Sequence, residues 1–335
     1  MRRTRQLLLS SATVLGIALL PACASSDDGG GDDGGKVVGS VDRGPETQVR
    51  QSGDTLKVVA LGWSDGEIAA DLGVTPEAIY DWQGHGKDNK GVGPWAQDSV
   101  KGADIEVIKN TGTTYNYEQI ELMEPDLILN VRAANDDKVF DRLSKIAPVA
   151  SAPKDAPDFA VDWRTQTEII GEAIGKEKEA KKAVSETDTI LKDTAKENPE
   201  FKGTSFVYGA KFGDAYGGYV KGDARFDVFG ELGFVENPAL AKLKPSGGFF
   251  AAVSAEQVKA FDADVAVLTT IGLPLKDLES DQKISSLAVV KDDRAVVLDE
   301  KDEVNSALAA GTPESIGVAV EGITPDLKKA VAKGE

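Results

Sequence analysis

The chain has 335 residues, 41% hydrophobic and 28% charged, with 56 Asp and Glu against 38 Lys and Arg and a formal net charge of −18. At roughly 150 residues per domain this length predicts two cores, and the body of the chain has no apolar run of the roughly 20 residues needed to span a bilayer. The acidity argues against a nucleic-acid partner, and one cysteine with one histidine, His85, disfavours a bare metal or haem site built on their side chains.

The N-terminus has the pattern of an export leader. "MRRTR" is a basic start, "QLLLSSATVLGIALL" is an apolar stretch of signal-peptide length, and "LPAC" ends it at Cys23. Residues 1–22 are expected as a lipoprotein signal peptide, with Cys23 as the lipid-bearing first residue of the mature chain. With that sulfur acylated, no thiol is left for a disulfide or a nucleophile. Residues 23–53, with "ASSDDGGGDDGG" directly after Cys23, have the composition of a flexible tether.

Order is expected from "TLKVVAL" (residues 55–61), a run suited to a strand covered on both faces. "DGEIAADLGV" follows as helix, "EAIYDW" and "IEVIK" as strands, "YEQIELMEPDLILN" as helix then strand, and "NDDKVFDRLSKIAPVA" as helix then strand. Alternating strands and helices predict a parallel α/β lobe over residues 54–157. From Val161 to Lys196 apolar residues keep helical spacing with no proline, which predicts one helix of about 36 residues, roughly 50 Å long, a strut between lobes (residues 158–197). Residues 198–335 supply a second α/β lobe: "TSFVYGAKF" as strand, "YGGYVKG" as a turn into a short strand, "ARFDVFGELGF" as helix, "RAVVLD" as the last clear strand, and a closing helix capped by Thr312 with Pro313 at its first position.

"YEQIELMEPDLIL" has a second copy, "AEQVKAFDADVAVL". Aligning Glu118 with Glu256 pairs Gln119 with Gln257, Asp126 with Asp264 and Leu127 with Val265 without a gap. Each copy opens on a capping signal, Asn116 with Gln119 and Ser254 with Gln257, so both glutamates fall at the second helical position, facing outward near the positive end of the dipole. One such carboxylate does no more than complement the dipole; two in equivalent places suit a partner with two like subunits.

The leader ending at Cys23, the two-lobed α/β body with its connecting helix, and the two copies of this unit resemble the substrate-binding lipoproteins of ATP-binding cassette importers for ferric siderophores and vitamin B12, over the chain from about Leu56 onward. The resemblance implies two lobes with parallel-rich sheets joined by one long rigid α-helix, limited hinge motion, and a ligand cleft between the lobes beyond the carboxyl ends of the strands. It also implies a monomer, anchored to the outer face of the cell membrane through Cys23, that hands a ferric siderophore to a permease dimer. In that family the glutamates matched by Glu118 and Glu256 dock to the permease.

A cleft for large, often aromatic or anionic chelates calls for flat apolar faces and a few cations. Trp63 follows the first strand and Arg132 follows "DLILN". Arg164 opens the strut, Tyr208 ends a second-lobe strand, Arg225 opens a helix after it, and Trp95 lies in a Gly-rich loop expected to be too polar to bury it. These six are the candidate ligand residues, with Tyr216, Tyr219 and Phe249 behind them; Trp163 on the strut is read as core. The protein itself is expected to need no cofactor or metal, since iron would arrive chelated. Cobalamin or haem is the alternative ligand for the same fold, and a binding lipoprotein serving no importer is an alternative role. An exported hydrolase is the rival from another class: there is no G-x-S-x-G elbow, H-E-x-x-H or P-loop, and the many carboxylates carry no diagnostic spacing.

Overall fold

The computed structural model describes residues 35–334 apart from 110, 111, 113 and 247. The expected leader and Cys23 lie outside the described residues. Within the stretch expected as a tether, Lys36–Val41 (β1) and Thr47–Gln51 (β2) form an antiparallel hairpin. Its few apolar side chains include Val41 and Val49, both buried, and the glycine- and aspartate-rich composition before it masks the two short strands.

The first lobe contains Val58–Ala60 (β3), Asp65–Asp71 (α1), Ala78–Asp81 (β4), Glu106–Lys109 (β5), Tyr117–Leu122 (α2), Leu127–Asn130 (β6), Asp137–Leu143 (α3) and Val149–Ser151 (β7). Its sheet runs β5-β4-β3-β6-β7, parallel throughout. After β3 the chain builds outward on one side with β4 and β5, then crosses to the other side with β6 and β7. The reversal makes the carboxyl ends of β3 and β6 a topological switch point, the place where open α/β sheets bind ligands.

The connector differs from one unbroken strut. Trp163–Ala173 (α4) and Glu177–Glu197 (α5) are separate helices, and α5, at 21 residues and about 31 Å, is the long one. Gly175 ends α4 in the left-handed region (φ 70°), with Lys176 N–H donating to the Gly171 carbonyl (2.6 Å) and Gly175 N–H to that of Glu172 (3.2 Å), a glycine-terminated helix end. A Cβ on Gly175 would collide with the Val38 carbonyl, and one on Gly39 with the carbonyls of Glu172 and Ala173. The hairpin therefore meets the end of α4 backbone to backbone, and the break makes room for it.

The second lobe contains Ser205–Phe212 (β8), Ala215–Tyr219 (β9), Ala224–Glu231 (α6), Val235–Glu236 (β10), Pro245–Ser246 (β11), Phe250–Val253 (β12), Val265–Thr270 (β13), Leu275–Glu279 (α7), Gln282–Ser285 (α8), Ala288–Lys291 (α9), Ala295–Val297 (β14), Glu303–Ala310 (α10) and Pro313–Ala332 (α11). Its sheet runs β11-β12-β9-β8-β13-β14, with β10 also on β8; β8, β10, β13 and β14 are parallel and β9 runs antiparallel to β8 and β12. Thr312 caps α11 in a reciprocal arrangement with Ser315, as the Thr-Pro signal predicts. One apolar core runs from Val58, Ala60 and Leu129 through Ile170, Val184 and Leu191 to Phe206, Tyr208 and Ile323, so both lobes and the connector share it.

The two copies of the repeated unit agree in one fastening. Asp126 accepts from Ser52 N–H (3.0 Å) and Lys57 N–H (2.9 Å), and Asp264 accepts from Ser205 N–H (2.9 Å) and its hydroxyl (2.7 Å). In each lobe the aspartate pins the start of the neighbouring strand, with Val58 opposite Leu127 and Phe206 opposite Val265. They differ in the helix. Asn116 caps α2 as expected, accepting from Gln119 N–H, whereas at Ser254 the side-chain contact runs the other way, its N–H donating to the Gln257 side chain (3.2 Å). A turn and a 3-10 segment, Val258–Phe261, follow in place of the predicted α-helix. The first copy leaves its helix through the left-handed Glu124 (φ 46°); the second leaves through Asp262, whose carboxylate is drawn to Val289 N–H (2.8 Å).

Gly175→Ala is expected to lower unfolding stability by about 1–3 kcal/mol, the usual range for a forced left-handed side chain, measured by urea denaturation. A Gly230→Ala control has open space at its Cβ and should lose nothing.

Candidate functional site

Aromatic and guanidinium side chains gather beyond the carboxyl ends of the strands, where the lobes meet. Trp63 leaves β3 and Trp82 leaves β4; their rings stack with centroids 4.5 Å apart and planes 6° from parallel. Phe159, from the segment entering α4, lies 4.3 Å from Trp63, and Phe249 of the second lobe meets Trp63 edge-on at 6.1 Å. The Arg132 guanidinium stands 5.7 Å from the Trp63 ring and 5.8 Å from that of Trp82, within cation–π range.

Arg132 also crosses between the lobes. Its Nη1 donates to the carbonyls of Ala309 and Ala310 (both 2.9 Å), its Nε to Phe159 (3.3 Å), and its Nη2 lies 3.5 Å from Asp223. Asp223 caps α6 and accepts from Arg225 Nε (2.7 Å) and Nη2 (2.8 Å). Arg225 lies 3.5 Å over the Tyr219 ring, and Tyr208, edge-on to Tyr219, donates its hydroxyl to Asn305 (2.7 Å). The two guanidiniums outweigh desolvation and hold the Asp223 carboxyl below its usual range. Desolvation lowers the pKa of Arg132, with Asp223 opposing it.

Backbone geometry aims these groups. Ser64 (φ 63°) and Phe159 (φ 57°) are left-handed non-glycine residues, a conformation held only where surroundings impose it. Ser64 Oγ accepts from Trp82 Nε1 (3.3 Å), and Phe159 N–H donates to the Ala133 carbonyl (3.0 Å). Asp65, fully buried, accepts from Val131 N–H (2.7 Å), Arg132 N–H (3.3 Å) and Gln166 Nε2 (2.8 Å). It thereby ties α1, the loop after β6 and α4 into one block. Burial pushes its carboxyl up to about 6 against those hydrogen bonds.

Of the six candidates, Trp63, Arg132, Tyr208 and Arg225 are brought into this cluster. Arg132, Tyr208 and Arg225 are buried, so each acts through its neighbours as much as through an open face. Trp95 and Arg164 stand elsewhere. Trp95 is buried despite its polar loop, because Glu67 satisfies its indole N–H (Nε1 to Oε2, 3.1 Å) and also accepts from Gly93 N–H (2.8 Å). Arg164 turns to Asp188 (2.6 Å) and Glu231 (3.2 Å). Trp163 is core. Trp82, Phe159, Asp223 and Asn305 are not among the residues the sequence points to; Trp82 carries a usable signal, since it follows β4 as Trp63 follows β3.

Glu118 and Glu256 are exposed. Each lies where the chain leaves its sheet's carboxyl edge, after β5 in the first lobe and after β12, which runs parallel to β8, in the second. The Glu256 carboxyl is held below its usual range by its own backbone N–H and the Ser254 hydroxyl. Among the described residues no cluster of three or more His, Cys, Asp or Glu could hold a metal, and no helix is long and apolar enough to cross a membrane.

The chain belongs to the periplasmic binding protein family, whose model matches residues 58–301. Among solved structures it is similar to a periplasmic solute binding protein of Mycobacterium smegmatis (25% identity, TM-score 0.74, covering 88% of this chain and 99% of that one). It is also similar to PiaA, an iron uptake ABC transporter substrate-binding protein of Streptococcus pneumoniae (25%, 0.66, 83% and 94%). Staphylococcus aureus SirA complexed with staphyloferrin B shares the fold (23%, 0.68, 84% and 96%). Comparison with curated protein sequences returns no significant match.

Burial pushes the Glu67 carboxyl from 4.5 up to about 7. The folded state then holds its proton more tightly than the unfolded one, so the contribution of Glu67 to unfolding stability falls as pH rises from about 4.5 to about 7 and is level above. Urea midpoints are expected to fall over that window in the native chain, and to fall less steeply in Glu67→Gln.

Proposed function

We propose that this protein captures a ferric siderophore between its lobes and delivers it to an ABC importer for iron uptake, without catalysing a reaction. The observation that carries the reading is the Trp63–Trp82–Phe159–Phe249 cluster with Arg132 at the meeting of the lobes. Flat aromatic faces beside a guanidinium suit an organic chelate, and a binding protein needs a site that both lobes complete. The PiaA and SirA likenesses support iron uptake and a siderophore ligand. In this reading the Trp63 face meets the chelate, the buried Arg132, Tyr208 and Arg225 stand behind it, and Trp95 and Arg164 are left to the framework.

Export and attachment to the outer face of the cell membrane through lipid on Cys23 complete the proposal, with the protein acting as a monomer. Glu118 and Glu256 dock to a permease dimer, one carboxylate to each subunit; their exposure and like placement on the two sheets support that role.

Titration with a panel of ferric siderophores is expected to quench tryptophan fluorescence, and Trp63→Ala is expected to weaken binding at least about tenfold, as for loss of a central aromatic anchor. No quenching and no calorimetric binding with any chelate would sink the assignment. In cells, the Glu118→Ala, Glu256→Ala double variant should lose uptake while the purified protein keeps its affinity; unchanged uptake would remove the docking role.

A further inference from the structure

We propose that Asp223 is a built-in counter-ion that sets the charge class of the ligand, so that the site takes a neutral ferric trihydroxamate in preference to a polyanionic catecholate or polycarboxylate chelate. This rests on the ligand site proposed above.

Two arginines at a ligand site ordinarily invite an anion. Here both are already answered. Arg225 is engaged by Asp223 through Nε and Nη2, at 2.7 and 2.8 Å. Arg132 spends its hydrogens on the carbonyls of Phe159, Ala309 and Ala310 and has the same carboxylate 3.5 Å away. Asp223 cannot easily yield its place: it is fully buried, and as the cap of α6 it also accepts from Arg225 N–H at 2.9 Å. An incoming polyanion would have to displace a carboxylate that holds a helix end, or be desolvated beside guanidiniums that are already paired.

The neighbouring polar groups are likewise engaged, Tyr208 hydroxyl with Asn305 and Trp82 indole with Ser64. The site therefore offers aromatic faces rather than unspent charge. A neutral chelate loses little hydration on entering and gains contact with those faces. The chain's net charge of −18 acts the same way at longer range, slowing the approach of polyanions. Asp223 is thus a specificity residue that acts through Arg132 and Arg225.

The test is a titration of the purified chain by tryptophan fluorescence, with ferrichrome as the neutral trihydroxamate and ferric enterobactin as the polyanionic tris-catecholate. Ferrichrome is expected to bind at least about tenfold more tightly, and its affinity should change less than about twofold between 50 and 500 mM salt, since no unscreened charge attraction holds it. Asp223→Asn should move the ratio of affinities toward the catecholate by about tenfold or more, as expected when a buried charge pair loses one partner. Equal or tighter catecholate binding by the native chain, or an affinity for ferrichrome that falls steeply with salt, overturns the charge assignment and leaves the siderophore reading standing. Binding of neither chelate, nor of any in the wider panel, overturns the site itself and this inference with it. The salt and ratio measurements on the native chain decide the question even where Asp223→Asn fails to fold.

Discussion

The buried Arg132–Asp223–Arg225 group is the contact on which the relation of the two lobes depends. Arg132 belongs to the loop after β6, Asp223 and Arg225 to the start of α6, and all three are withdrawn from water. Ion pairs so deeply placed gain little net stability over apolar packing, but removing one partner strands a charge at a cost of about 3–5 kcal/mol. The group therefore fixes position more than it adds stability. The same guanidinium reaches the carbonyls that end α10, so a single side chain registers the first lobe against both a helix start and a helix end of the second.

Behind it stands Asp65. Its three hydrogen bonds orient the loop that carries Arg132 and, through Gln166, the first turns of α4. Trp63 and Arg132 are joined directly as well, Trp63 N–H to the Arg132 carbonyl at 2.8 Å. With Ser64 and Phe159 both in the left-handed region, the aromatic faces are set by backbone and buried hydrogen bonds rather than by free rotamers. Such preorganisation lowers the ordering entropy that binding would otherwise lose.

Most of the sheet framework was legible because its signals are local: apolar runs bounded by caps gave β3, β4, β6, β8 and β13, and Thr312-Pro313 gave the start of α11. The break at Gly175 was also written locally, as a glycine followed by lysine, but the continuing apolar period on either side masked it. The hairpin was hidden because its strands are short and carry few apolar residues beside a Gly- and Asp-rich stretch. In the site, residues that follow strands were found by topology alone, which is how Trp63 and Arg132 were reached. Trp95 reads as exposed because its partner Glu67 is distant in sequence, and nothing in "KGDARF" announces that the cap Asp223 also faces an arginine from the other lobe.

The twin aspartates that pin the repeated units have a consequence for how the chain folds. Asp126 closes on Ser52 and Lys57, and Asp264 on Ser205, so each fastening joins residues of its own half. Closing the central strands of either sheet thus needs only moderate sequence separation, and neither half waits for the other. The distant pairing falls to α11, which ends the described chain yet packs against α4, α5 and the Pro94–Ala96 turn of the first lobe. Loop-closure entropy weighs most on such a contact, which places the joining of the halves, rather than the making of either, at the slow end of folding.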